Sequence, residues 1–494
     1  MQVAMRVAER FGYFAVVLGL MAAAVGAGFA IGLSGHYELG TEILLAATLT
    51  VCVLLPVFSR AWIGRFDPFE PLLIIAGVYL VYFVVGPMLR LTTGDVVLIG
   101  RNVRFLYARA FMAVIFGVIA MWFGYHLPLG KSLGGRLRFS KTVGEVDPAT
   151  LRSLRFFGWG LTAAAVVALV LWSQLEGRSL ATFFLPGLVT SVEGSGGGTN
   201  IAYLFLAIEW FIPAFLILSI SGGFPAPPFR WAYFIFVSIA YTSLGFRYRL
   251  IIFWVASFML LYLRRNRRPT AKTLLGGAMV LLMLAGWLGI ARSVFKGEGG
   301  KRATAAPTFA EVARNSLSDT EVFETFATVL DAVPDRIDYV GAEPYIYVFV
   351  QPVPRAVWPG KPYPTFLNKI SESIGTSQAE TAGAAVPHFG EYYLAFGWPG
   401  LVFGMLLFGV ICRSLWEWYL ADPANPWRQV IFAASNAFLV QAIIRGYTPQ
   451  IVQEWFFIIF PAVAGMYLAR REGRRQQVGP LEPAMHYGAE HAAR

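Results

Sequence analysis

Long apolar runs separated by short, arginine-bearing polar connections dominate the chain. A helix needs about 20 apolar residues to cross the hydrocarbon core of a bilayer. On that measure the pattern predicts spans near residues 11–33, 41–59, 69–91, 105–127, 153–174 and 201–220, then near 230–246, 247–264, 273–295, 389–412, 428–446 and 450–469. This describes an all-α, polytopic membrane protein of about twelve helices. Nine predicted spans fill residues 1–295, a large loop with short helices follows over 296–388, three spans occupy 389–469, and 470–494 form a polar tail. The first apolar run, preceded by Arg6 and Arg10, exceeds a signal-peptide core and reads as an uncleaved span.

Orientation follows from the short connections. Arg60 and Arg65, the cluster from Lys131 to Arg155, the run Arg264, Arg265, Arg267, Arg268 and Lys272, and Arg470, Arg471, Arg474 and Arg475 all fall on one side. The positive-inside bias makes that side cytoplasmic, termini included, and puts loop 296–388 on the outer face. The apolar stretch 230–264 is cut only by Phe246, Arg247, Tyr248 and Arg249, and reads as a tight hairpin or a re-entrant pair. One unbroken helix would carry two arginines to the bilayer centre, at about 2.5–3.5 kcal/mol each. Within the large loop, Ser318 and Glu321 are spaced as a capping box before Val322, Phe323, Phe326, Val329 and Leu330. That predicts a helix ending near Pro334, either a plain packing helix or an amphipathic one lying on the membrane or on the bundle. The glycine-rich loop ending GSGGGTN lacks the Lys-Ser/Thr of a phosphate loop.

Composition agrees with a membrane protein and removes several classes. At 57% hydrophobic and 14% charged, the 494-residue chain is too apolar for a soluble domain. The net charge of +11 is accounted for by cytoplasmic arginines, and no nucleic-acid motif is present. Cys52 and Cys412 lie in or beside apolar spans, so neither a disulfide framework nor a metal knuckle is indicated.

Polar chemistry gathers where the outer loop meets the spans. The proline-rich run around Arg355, Trp358 and Lys361 is a stiff loop, since each proline fixes φ and removes a donor. Arg90, Arg109, Arg247, Arg249, Arg292 and Arg445 fall at or near the outer surface, with Glu391 and Glu454 as carboxylates. Arginines at span ends also snorkel to the interface, but several together suit a diphosphate, which guanidinium groups hold bidentately. His388 and Glu391 share one helix face, and partial burial suits Glu391 to the task of a general base. An ion pair with a neighbour such as Arg445 is the alternative. Glu209, near mid-span, is expected to pair with a cation of the bundle. Neither His388 nor Glu391 belongs to a metal-binding pattern, and no cofactor is indicated.

The run Pro354, Arg355, Trp358, Pro359, Lys361 and Pro362, followed by Gly390, Glu391, Tyr393, Phe396, Gly397 and Gly400, resembles Wzy-type O-antigen polymerases, which polymerise oligosaccharide repeat units. The resemblance covers the last third of the chain in detail. It implies a metal-independent, GT-C-like glycosyltransferase in the bacterial inner membrane with its active site facing the periplasm. It also implies undecaprenyl-diphosphate-linked glycans as substrates, membrane lipids around the bundle, and a chain-length regulator protein as partner. On that reading Glu391 is the catalytic base, with His388 second. Arg247, Arg249, Arg292, Arg355, Lys361, Arg445 and Tyr393 bind the diphosphate and sugars. An O-antigen ligase and a lipid-linked oligosaccharide flippase are the alternatives.

Overall fold

A computed structural model describes residues 40–136, 148–175, 199–243, 247–296, 321–355, 357–375 and 385–477, with Gly19 and Val312. The expected first span at 11–33 and the tail beyond 477 lie outside the described residues, as does Ser318 of the expected capping box.

Helices form where the apolar runs predict them. They are α1 (Gly40–Trp62), α2 (Pro71–Thr93), α3 (Tyr107–His126), α4 (Pro128–Arg136), α5 (Pro148–Leu175), α6 (Thr199–Ile208) and α7 (Phe211–Ser221). The order continues with α8 (Pro227–Ser243), α9 (Arg247–Arg264), α10 (Ala271–Lys296), α11 (Val322–Ala332), α12 (Glu343–Val350) and α13 (Thr365–Ile374). Last come α14 (His388–Leu420), α15 (Pro426–Ile444) and α16 (Thr448–Gln477). One two-stranded antiparallel ladder, β1 (Val97–Leu98) with β2 (Arg101–Asn102), links α2 to α3 and was not expected from the apolar pattern.

Among the described residues, eight helical stretches are long and apolar enough to cross a membrane: 40–62, 71–93, 104–126, 151–175, 203–221, 388–420, 426–444 and 448–468. The chain is therefore an all-α, multi-pass membrane protein. Helices α8 and α9 have 17 and 18 residues and fold back on each other as the hairpin reading requires. Phe234 stacks on Phe253 at 5.0 Å, and the Trp254 indole donates to Ser238 Oγ at 2.9 Å.

The described polar groups gather at two ends of the bundle. At one end Glu70 pairs with Arg60 at 3.2 Å and accepts from Tyr125 at 2.7 Å, and Arg268 reaches Asp67 at 2.8 Å. At the other end stand Arg90, Glu324, Glu391, Arg445 and the described residues 321–355, 357–375 and 385–387. Helices α3 and α14 cross closely because both carry glycine at the crossing. A Cβ on Gly124 would stand 2.0 Å from Leu406 O, and one on Gly409 would stand 2.1 Å from Met121 O.

Among the described residues, three spans depart from regular α-helix, each for a local reason. Pro87 offers no N–H to Phe83, and the ladder widens to a π-helical turn over Leu80–Val85. Pro213 likewise leaves Glu209 O without its usual partner, and the helix is interrupted at Glu209–Trp210 between α6 and α7. The third break, inside α14, belongs to the site described below. Helix α11 forms as expected, and it is a packing helix rather than a surface one. Every residue from Val322 to Ala332 except Asp331 is buried, because α3, α13 and α14 surround it. Glu321 makes no capping hydrogen bond with its side chain.

Candidate functional site

The N-terminal end of α14 is a short helical segment held by its break. Phe396 (φ −143°, ψ 19°) and Gly397 (φ 66°, ψ −145°) leave helical geometry, and Gly397 occupies a region that only glycine adopts without strain. The carbonyls of Leu394 and Ala395 are freed by the break. They accept the N–H groups of Val340 and Gly341, each at 3.0 Å, so the turn at 340–341 caps the half-helix. At its other end, α14 begins where the chain meets the α15–α16 turn backbone to backbone. Gly446 N–H donates to Val386 O at 2.5 Å, and a Cβ at Gly446 would fall 2.5 Å from Pro387 O.

That contact fixes Glu391. Its carboxylate is fully buried, and Oε2 accepts the backbone N–H of Thr448 at 2.8 Å. Oε1 has no hydrogen-bond partner among the described residues, and no cation forms an ion pair with the carboxylate there. The expected alternative, an ion pair with Arg445, is not what the structure contains: the Arg445 guanidinium lies 5.4 Å from the Tyr248 ring centroid. Tyr345 and Tyr447 stand close enough to feel Glu391. Burial first, and then that carboxylate, raise the Tyr345 phenol above its usual range; burial, Tyr347 and Glu391 raise Tyr447.

His388 is built into the helix packing. Its Nδ1 meets Ile443 O at 2.7 Å, and since a carbonyl only accepts, Nδ1 carries the proton. Nε2 faces the Tyr79 hydroxyl at 3.1 Å, and the two rings stack at 6.0 Å. Both nitrogens are engaged. Tyr393, also buried, contacts Val333 O at 3.4 Å and Arg109 Nη2 at 3.5 Å.

The loop cations are tied to carbonyls. Lys361 Nζ donates to Gln351 O at 2.8 Å and Val353 O at 3.0 Å, while Arg355 Nη1 donates to Lys361 O at 2.7 Å and stacks on Tyr363 at 3.9 Å. Burial, then the neighbouring Arg355, lowers the Lys361 ammonium below its usual range. The stiffness expected from the prolines is thus reinforced by two side chains crossing the loop.

Arg249 is not displayed at the outer surface as its place in the sequence suggests. It is buried, with Nε and Nη2 both 2.9 Å from Glu209 Oε1, and its guanidinium lies 4.1 Å from the Phe205 ring centroid. This is the cation that Glu209 was expected to find, at the α6–α7 break. Glu454 is held by Gln450 at 2.8 Å, by Tyr248 at 3.3 Å and by Gln441. Arg247 and Arg292 fall on α9 and α10, but their side chains lie outside what the structure describes.

A further buried pair stands beside α11. Arg90 Nη1 is 3.4 Å from Glu324 Oε2, and the Tyr107 hydroxyl donates to Glu324 Oε1. Burial raises the Glu324 carboxyl above its usual range, against the pull of Arg90 and Tyr107. Sequence reading placed Arg90 in the outer layer but gave no signal for Glu324, Tyr79 or Thr448, whose partners lie far along the chain.

Residues 305–418 match a family described as Domain of unknown function (DUF8712). The matched stretch contains Arg355, Lys361, His388, Glu391 and Tyr393, and it excludes Arg247, Arg249, Arg292 and Arg445. No curated protein and no solved structure matches the chain.

Proposed function

We propose that this chain is an integral-membrane glycosyltransferase that polymerises undecaprenyl-diphosphate-linked repeat units at the periplasmic face of the bacterial inner membrane. In this reading it has about twelve spans in a GT-C-like bundle. The observation that carries it is Glu391, a fully buried carboxylate with one oxygen anchored by Thr448 and the other without a hydrogen-bond partner among the described residues. An anchored carboxylate with one oxygen in reserve suits proton acceptance, and the motif around it is the one that resembles the polymerases. In the proposed step Oε1 takes the proton of the acceptor hydroxyl. The hydroxyl oxygen bonds the donor's anomeric carbon, and the bond from that carbon to the diphosphate breaks.

The leaving diphosphate needs fixed positive charge. Arg445 stands three residues before Thr448, and with Arg247 and Arg292 it is the proposed ligand set. Arg249, paired with Glu209, positions α9 in this scheme rather than meeting the substrate. His388 positions α14 through Ile443 and Tyr79. The test uses purified protein, a synthetic lipid-linked repeat unit and a ladder gel. Glu391→Gln is expected to remain folded and to lose at least about a hundredfold in chain growth, the usual contribution of a general base. Near-normal turnover per folded molecule rejects the reading.

The flippase alternative draws support from the two interrupted spans, a feature of transporters. It predicts lipid-linked units moved across proteoliposomes without elongation.

A further inference from the structure

Helix α12 and the turn after it carry an apolar patch apart from Glu391. Pro344 and Tyr347 face inward, whereas Ile346 is 61% and Phe349 81% exposed. In the following turn Val357 is 76%, Trp358 42% and Tyr363 75% exposed. So dense a set of large exposed apolar side chains on one segment marks an interaction surface.

Its position relative to the bundle says what meets it. The Tyr203 hydroxyl, at the start of the 203–221 span, donates to Pro352 O at 2.7 Å. The Tyr447 hydroxyl, in the turn between the last two spans, donates to Gln351 Oε1 at 3.2 Å. Residues 351 and 352 are therefore held level with the ends of the membrane helices. Helix α12 packs against α16, whose turns near that end expose Val452, Trp455 and Phe456. The patch thus stands beside a lipid-facing helix at the height where Trp, Tyr and Arg collect in membrane proteins. Arg355, on the Tyr363 ring, supplies the cation that phospholipid phosphates attract.

We infer that α12 and its following turn form a membrane-interface anchor, with Ile346, Phe349, Val357, Trp358 and Tyr363 seated among the headgroups and upper acyl chains of the adjoining leaflet. The inference rests on the membrane fold and is independent of the glycosyltransferase reading. It also assigns the outer segment a fixed height: Tyr345, on the same helix, is the neighbour of Glu391, so lipid contact at α12 holds one wall of the candidate site.

The test is site-directed spin labelling of full-length protein in phosphatidylethanolamine–phosphatidylglycerol nanodiscs. Cys52 and Cys412 are replaced by alanine, and Phe349→Cys, Val357→Cys and the exposed Asp338→Cys are labelled separately. Collisions with oxygen are expected to exceed those with a soluble nickel chelate severalfold at 349 and 357, and to be fewer at 338. Nickel-dominated collisions at both 349 and 357 overturn the anchor. Shielding of both positions only on addition of a soluble oligosaccharide also overturns it and assigns the patch to glycan. Wild-type protein with a diazirine-bearing phospholipid gives a second readout without substitution. Crosslinks are expected in the peptide 343–363, and their confinement to the spans would count against insertion.

Discussion

The backbone N–H of Thr448 donates to Glu391 Oε2 at 2.8 Å, joining the start of the last helix to the first turn of α14. Glu391 is buried, and among the described residues Thr448 is what its carboxylate hydrogen-bonds, so loss of that partner leaves a desolvated carboxylate. Thr448 occupies a first-turn position where proline is tolerated, so Thr448→Pro removes both the N–H and the hydroxyl that meet Glu391 with little change to the helix. Stability is expected to fall by about 1–3 kcal/mol. In the Glu391→Gln background the fall should be smaller, and a thermal-unfolding double-mutant cycle measures the coupling. Additive effects would show that the bond does not stabilise the fold.

Arg249 and Glu209 share a buried ion pair at the α6–α7 break. Glu209→Ala leaves the guanidinium desolvated and is expected to lower stability by about 3–5 kcal/mol. Replacing both residues by methionine should recover much of that loss, as measured by thermal unfolding in detergent. If Arg249 instead served a bound diphosphate, the double variant would be stable but would have lost affinity for a lipid diphosphate.

Gly397 combines φ 66° and ψ −145° with a hypothetical Cβ 2.7 Å from Tyr339 Oη. Gly397→Ala is expected to destabilise by about 1–3 kcal/mol from backbone strain. Tyr339→Ala added to it removes the steric part alone. Full rescue by that second change, in a melting experiment, would rule out the backbone contribution.

Glu324 gives the chain a pH-dependent element outside the spans. Burial raises its folded pKa above the unfolded value of about 4.3. The folded state therefore binds the proton more tightly than the unfolded one. Its stabilising contribution is full below the unfolded pKa and is lost as pH rises through the folded value. Glu324→Gln should flatten the decline in stability that wild type shows on raising pH above about 4.3, measured by denaturation at a series of pH values. An unchanged slope would show that Glu324 titrates normally.

Much of the helical layout was legible because a membrane imposes a length on apolar runs and water-facing connections collect charge. The hairpin at α8–α9 followed from the cost of two arginines in hydrocarbon, and the helix after Glu321 followed from its apolar period. Its burial fits the packing-helix reading, although periodicity locates an apolar face without saying that the opposite face is also covered. Glu391, His388, Arg355 and Lys361 could be singled out from residue type and spacing. What each side chain touches could not.

The sequence by itself determined the all-α membrane class, most helix positions and the gathering of polar groups near helix ends, because local hydrophobicity, proline and charge act over a few residues. Only the tertiary structure decided which groups are paired. It committed both nitrogens of His388 to Ile443 and Tyr79, and Arg249 to Glu209. It set Lys361 across its own loop and left Glu391 with one anchored oxygen. Those partners lie up to 309 residues apart in the chain. Hydrogen bonds and ion pairs depend on distances of about 3 Å, and helix packing, not spacing along the sequence, sets distances that fine.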